Sequence, residues 1–257
     1  MKRVFITGAS SGIGLALAAE YAAQGAMLGL LARRRGALEQ LIASLPNPQQ
    51  HRAYAVDVTD HGALRQAASD FIGHAGGIDI VIANAGLSYG TLTERPEDLA
   101  LFETILATNL TAASATFAPF IATMKAQTTP SRLVGIGSVA GIRGLPGAAA
   151  YCASKAAIIS YCESLRLELK AYGIKVVTLV PGYIDTPMTQ TNAYPMPFLM
   201  PANKFAAAAV HAIGNGVSYN VIPWQMGVVA KLLRLLPNVI YDFAFAKAPH
   251  KARRPAP

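Results

Sequence analysis

The chain reads as a doubly wound α/β domain: a parallel sheet of about seven strands with helices on both faces. Three observations predict it. Apolar runs alternate with helix-patterned stretches from the first residues to beyond residue 180, which implies repeated strand–helix–strand units. A glycine-rich turn joins the first apolar run to the first helical stretch. No internal repeat or linker divides the 257 residues, so a single domain over 1–257 is expected.

Val4-Phe5-Ile6 is a short buried strand ending at Thr7-Gly8, and the Ala/Leu-rich stretch 12–24 is helical. Residues 27–31 form the next strand; a helix over about 36–45 is stopped by Pro46 and Pro48. A strand over 53–58 precedes a helix over about 60–72. Residues 78–83 carry a charge only at Asp79 and are otherwise apolar, as suits a strand covered on both faces. Two helices, about 96–107 and 109–126, lead to a strand at 133–136 and a long helix over 151–171. A strand over 175–180 is closed by Pro181-Gly182. Right-handed crossovers put every strand's C-terminal end on one edge, where ligands bind.

Composition narrows the function classes. Hydrophobic residues make up 53% and charged residues 14%, so a large core is expected and disorder is not. Cys152 and Cys162 fall in one predicted helix, about 15 Å apart by helical rise, and cannot bridge each other. Free thiols fit a reducing, cytoplasmic setting. The five histidines are scattered and no metal-ligand cluster is expected. The start Met1-Lys2-Arg3, with three apolar residues after it, is too short for a secretory leader, and no run approaches the ~20 apolar residues of a spanning helix. Net charge is +8, with basic runs at Arg33-Arg34-Arg35 and in the last 34 residues. Neither is interleaved with aromatics as a nucleic-acid stacking platform would be, so no nucleic-acid partner is expected.

Two constellations carry chemistry. In Thr7-Gly8-Ala9-Ser10-Ser11-Gly12-Ile13-Gly14, Gly8 permits the tight turn, Gly12 lets backbone amides approach a phosphate, and Gly14 allows close helix–strand packing. The helix that follows offers free N–H groups and a positive dipole end to a pyrophosphate. Farther on, Tyr151 and Lys155 stand four apart on one helix face, with Ser138 thirteen residues upstream of the tyrosine. A phenol has a pKa near ~10, and a neighbouring ammonium favours the phenolate, which brings an acid–base group toward neutral range. Cys152 points about 100° away around the helix and is read as packing.

These residues, in this order, resemble the short-chain dehydrogenase/reductase family over roughly residues 3–190. Thr7 to Gly14 matches its TGxxxGIG, Ala83-Asn84-Ala85-Gly86 resembles its NNAG, and Ser138 with Tyr151-x-x-x-Lys155 matches its catalytic set. Asn109 corresponds to its fourth catalytic member, and Pro181-Gly182 with Ile184 and Thr186 to its nicotinamide segment. Ala83 departs from the usual asparagine, which is expected to alter a support contact only. The resemblance implies a single Rossmann-type domain, a nicotinamide cofactor, and proton transfer by Tyr151 assisted by Lys155, Ser138 and Asn109. It extends cofactor contact to Gly8, Ser10, Ser11, Gly12, Ile13, Gly14, Asn84, Ala85 and Gly86, and to Asp57 and Val58 beside the adenine. Ala32 stands where NAD-selecting members carry a carboxylate, and Arg33 follows with a fork suited to a 2′-phosphate, so NADP(H) is expected.

The resemblance says less about substrate and partners. The proline- and methionine-rich segment 183–205 is read as a substrate lid, with a packed surface excursion or an oligomer contact as the alternative. With Ser138 and Tyr151, the residues Leu145, Met188, Tyr194 and Phe198 are expected at a hydrophobic ketone or secondary alcohol. Arg143 is read either as a contact to an anionic group or as a surface charge. The basic, apolar extension 224–257 has two readings as well: peripheral contact with an anionic membrane, or packing on the lid or a sister subunit, the latter preferred. The family often forms homodimers or homotetramers. Runner-up functions on the same scaffold are a non-catalytic NADP(H)-sensing regulator and an epimerase.

Overall fold

In the computed structural model of the chain, residues 1–192, 194–246, 248, 250, 251 and 253 are described. Seven parallel strands form one sheet: β1 (Arg3–Thr7), β2 (Met27–Ala32), β3 (Arg52–Ala55), β4 (Ile80–Ala83), β5 (Arg132–Ile136), β6 (Lys175–Pro181) and β9 (Tyr219–Ile222). Their order is β3-β2-β1-β4-β5-β6-β9, so the winding reverses between β1 and β4 and opens a crevice at their C-terminal ends. A separate pair, β7 (Ile184–Asp185) and β8 (Met200–Pro201), joins the two ends of the expected lid.

Strand alternation sends side chains to two cores. Val4 and Ile6 face one layer, packed with Leu17 and Tyr21 of α1 (Gly12–Ala23), Leu38 of α2 (Arg35–Ser44), and Phe205 and Ile213 of α7 (Ala202–Asn215). Phe5 faces the other, formed by α3 (His61–Ala75), α5 (Ala112–Ala126) and α6 (Ala149–Glu168). There the Phe5 ring lies 5.7 Å from that of Phe71 and 5.0 Å from that of Phe120. Gly29 makes this cluster possible, because a Cβ would come within 2.6 Å of the Phe5 ring. At the opposite sheet edge from the crevice, Arg3 donates to both carboxylate oxygens of buried Asp79, at 3.0 and 2.6 Å, and Thr129 donates to the same group at 3.0 Å.

Several expectations are corrected. The third strand ends at Ala55 rather than 58, because Asp57 turns the chain by accepting from the Thr59 amide and hydroxyl. The predicted break near residue 108 is absent: α4 (Leu99–Leu106) runs through a π turn (Ala107–Thr111) into α5. The helix over Pro96–Ala126 is long and apolar enough to cross a membrane, contrary to expectation. Its Phe117 and Phe120 are fully buried against the sheet, so it serves as a core helix. Strand β9 and the helices α7, α8 (Trp224–Leu235) and α9 (Asn238–Phe245) had not been delimited from sequence.

Candidate active site

The glycine turn sits at the winding reversal. Gly8 has φ +68° and Gly12 φ +55°, conformations that glycine adopts without strain. A Cβ on Gly8 would stand 2.8 Å from Ala85 Cα, so the turn and the Asn84-Ala85-Gly86 segment approach backbone to backbone. Hydrogen bonds lock that approach: Asn84 Nδ2 donates to the carbonyls of Thr7 (2.9 Å) and Gly8 (3.2 Å), while Thr7 Oγ1 accepts from the Asn84 and Ala85 amides. Ser11 precedes α1 in extended conformation and makes no side-chain cap, so the first amides of α1 keep their donors for the cleft. Ser10, Ser11, Gly12 and Ile13 line a cleft of about 400 Å³. A cradle of free amides and Cβ-less residues fits a pyrophosphate.

At one end of the cleft stand Ala32, Arg33, Arg34, Asp57 and Val58. Arg33 Nη1 lies 3.9 Å from Asp57 Oδ2, both side chains being well exposed. Sequence reasoning singled out Arg33; Arg34 shares the site, its Nη2 donating to the carbonyl and hydroxyl of Ser10 at 3.3 Å. The hydrogen bonds from Thr59, with the Arg33 charge, hold the Asp57 carboxyl below its usual range. The cap of α3 is made by Asp60, which accepts from the Ala63 amide.

Toward the other end the cleft is lined by Ile136, Gly137, Ser138, Tyr151 and Lys155, faced by Pro181, Gly182, Ile184, Thr186 and Met188. The sheet carries Ser138 just past β5; α6 carries Tyr151 and Lys155 one turn apart. Buried Lys155 donates from Nζ to the Ile136 carbonyl at 2.8 Å and lies 5.8 Å from the Tyr151 ring. Burial brings its ammonium down to about 8. The sequence predicts a Tyr151 phenol lowered by Lys155. In the structure burial instead raises it, with the Ser138 hydroxyl acting in the opposite direction. The Lys155 ammonium donates to the Ile136 carbonyl, and burial of the phenol is the larger influence on Tyr151.

Asn109 occupies the π turn and is buried. Its Oδ1 accepts from the Leu87 amide at 2.7 Å; its Nδ2 donates to the Leu87 carbonyl and to Ser154 Oγ at 3.0 and 2.9 Å. It therefore ties the segment after Gly86 to α6, and makes no direct hydrogen bond to Lys155.

The substrate residues divide. Met188 lines the cleft; Tyr194 does not, and its ring packs edge-on to Tyr183 at 6.3 Å. Leu145 and Phe198 do not line it, and Phe198 is half exposed. Arg143 is neither a cleft residue nor a loose surface charge. It donates to the carbonyls of Leu233 (2.9 Å) and Leu236 (2.8 Å) and to Asn238 Oδ1 (3.0 Å), and lies 3.9 Å over the Tyr241 ring. Tyr241 in turn donates to the Gly144 carbonyl at 2.5 Å. The junction of α8 and α9 is thus fastened beside the site. Beyond α9 the chain returns toward α6, where Lys251 Nζ lies 5.6 Å from the Tyr151 ring. The tail's charge was visible in the sequence, but no spacing pointed to this return; Lys247 and Arg254 of that basic stretch lie outside the described residues.

The model of the short chain dehydrogenase family matches residues 2–195. This chain belongs to that family. The short-chain dehydrogenases use nicotinamide cofactors, and the chain is an oxidoreductase of this kind. It is 35% identical over 247 residues to an uncharacterized oxidoreductase of Myxococcus xanthus, covering 95% of this chain and 96% of that one. It is 34% identical to the 3-oxoacyl-[acyl-carrier-protein] reductase of Haemophilus influenzae, covering 74% and 76%. Among solved short-chain dehydrogenases, a 3-ketoacyl-(acyl-carrier-protein) reductase from Brucella melitensis complexed with NADH superposes with a TM-score of 0.77 at 25% identity, covering 86% of this chain and 94% of that one.

Proposed function

We propose that this short-chain dehydrogenase is an NADP(H)-dependent carbonyl reductase or alcohol dehydrogenase acting on a hydrophobic ketone or secondary alcohol. The observation that carries the reading is one continuous cleft with two arginines at one end and Tyr151, Ser138 and Lys155 at the other. The second strand ends in Ala32, so no carboxylate at that point repels a 2′-phosphate, and Arg33 and Arg34 supply its counter-charge. The bound nicotinamide supplies the hydride for the carbonyl carbon. Tyr151 donates its phenolic proton to the oxygen as negative charge builds there, and Ser138 holds that oxygen by a hydrogen bond. Lys155 stabilises the phenolate that remains and meets the cofactor ribose. Asn109 positions the catalytic helix through Ser154. Met188 supplies an apolar wall.

Cofactor oxidation with a panel of ketones and aldehydes tests this. A kcat/KM for NADPH well above that for NADH is expected; equal use of both would overturn the cofactor assignment, and no turnover with intact cofactor binding would favour the sensor reading.

A second reading concerns α8 and α9. Trp224, Val228, Leu232 and Leu235 share one exposed face of α8 with Lys231, and Val239 and Phe243 are exposed on α9, with Leu235 80% and Phe243 89% exposed. An apolar face bordered by Lys231 and Arg234 suits the surface of an anionic membrane. Flotation with anionic and zwitterionic vesicles tests it: binding only to the anionic ones, lost in a Leu235→Ser/Phe243→Ser variant, is expected. Equal flotation of variant and wild type would sink it.

A further inference from the structure

We propose that the substrate carries an anionic oxygen head, a carboxylate or phosphate, on its apolar body, and that Lys251 receives it. The inference rests on the reading of Tyr151 as the proton donor of a carbonyl reductase, and names the class of substrate that site takes.

The placement of Lys251 is built by residues far away in sequence. A Cβ on Gly90 would strike the Lys251 carbonyl, and one on Gly147, where φ is +68°, would stand 2.7 Å from His250 Cβ. Two glycines thus leave the groove in which the returning tail lies. Arg253 pins its far side by pairing with Asp98 and, at 3.6 Å, with Glu97. Asp98 is itself fixed, accepting from the Leu92 amide at 2.8 Å.

So held, the Lys251 ammonium lies 5.6 Å from the Tyr151 ring. Its recorded hydrogen bond is a weak one, 3.3 Å to Asn192 Oδ1 on the lid. Among the described residues no carboxylate lies within ion-pair distance of it, and its neighbours are Tyr151, Cys152 and the lid. Burial accordingly lowers its pKa. The surroundings do not offset it: the sole acid among the described residues lining the main cleft is Asp57, at the adenosine end. A partly buried cation without a counter-charge is costly, and an arriving oxyanion repays that cost with a charge-assisted bond. A neutral ketone of the same shape repays none of it. Lys251 also spans tail and lid, so a head group bound there would draw the two together over the reacting carbonyl.

The test uses the full-length enzyme saturated with NADP⁺. Isothermal titration compares a medium-chain carboxylate, the matching alkyl phosphate and the matching primary amide, in wild type, Lys251→Met and Lys251→Arg. Wild type should bind at least one of the two anions ten-fold or more tighter than the amide. That ratio should fall close to one in Lys251→Met and recover in Lys251→Arg. A parallel assay reads kcat/KM for a keto acid over that for its methyl ester, and the ratio should drop at least ten-fold in Lys251→Met. Equal affinity of wild type for anions and amide, or ratios unmoved by Lys251→Met, would overturn the proposal. Failure of every ketone to turn over would instead overturn the carbonyl-reductase reading, and the titration would still decide the role of Lys251.

Discussion

The two halves of the cleft are held by different means. The half proposed for the nucleotide is framed by the central strands β1 and β4, by backbone contacts that glycine alone allows, and by reciprocal bonds between Thr7 and Asn84. The half proposed for the substrate is bordered by segment 183–205, two short helices and a tail, fastened at Arg143, Tyr241 and Arg253. Where the ligand is a constant, the chain spends its core; where the ligand distinguishes one enzyme from the next, it spends a few surface ties. Stability and specificity are thereby separated in space.

Substitutions should expose that division. The largest effect is expected at the shared boundary: Tyr151→Phe should cut kcat about 10²–10⁴-fold while NADPH affinity measured by fluorescence titration stays near wild type. Near-normal turnover would remove Tyr151 as the acid. In the sheet, Asp79→Ala leaves Arg3 without its counter-ion and should cost about 3 kcal/mol in urea unfolding. Arg3 holds the Asp79 carboxyl down, overcoming the upward push of burial, so this stability is present above the ordinary Asp range and is lost as pH falls through the lowered value. At the nucleotide end, Arg33→Ala should raise KM for NADPH about 10–100-fold and leave KM for NADH little changed.

A smaller, graded effect is expected from pH. Lys155 keeps its proton below about 8 and loses it above, so kcat/KM with NADPH varied should decline as pH rises through that value. Lys155→Arg should carry the decline to higher pH; an unchanged profile would detach it from Lys155. The smallest effect should come from the substrate half. Leu235→Ser, on the exposed face of α8, should shift unfolding free energy by no more than about 0.5 kcal/mol. A large loss there would show the helix pair to be structural rather than peripheral.

What could be read from the sequence follows the range of the forces involved. Strands β1, β4, β5 and β6 are legible because burial on both faces leaves them nearly free of charge. The glycine turn and the Tyr151–Lys155 pair are legible because each depends on a spacing of a few residues. Strand β9, Tyr-Asn-Val-Ile at the sheet edge and only partly buried, carries no such mark. Thr108 and Asn109 resemble a break between helices, and the π turn was missed because the partners of Asn109, Leu87 and Ser154, lie 22 and 45 residues away in sequence. Arg34 and Lys251 are placed by folding alone: Ser10 lies 24 residues from Arg34, and Asp98 lies 155 from Arg253.

The short pair β7–β8 has a consequence for how such enzymes diversify. Ile184 and Asp185 hold Met200 and Pro201 in register, so the intervening segment departs from and rejoins the scaffold at a single clasp. Residues can be added to or removed from that segment without displacing a strand of the main sheet, and doubling its length would cost only about 0.6 kcal/mol in closure entropy. The clasp makes the excursion an exchangeable cartridge: new cargo can be accommodated by rewriting one stretch of chain while the hydride-transfer apparatus stays as it is.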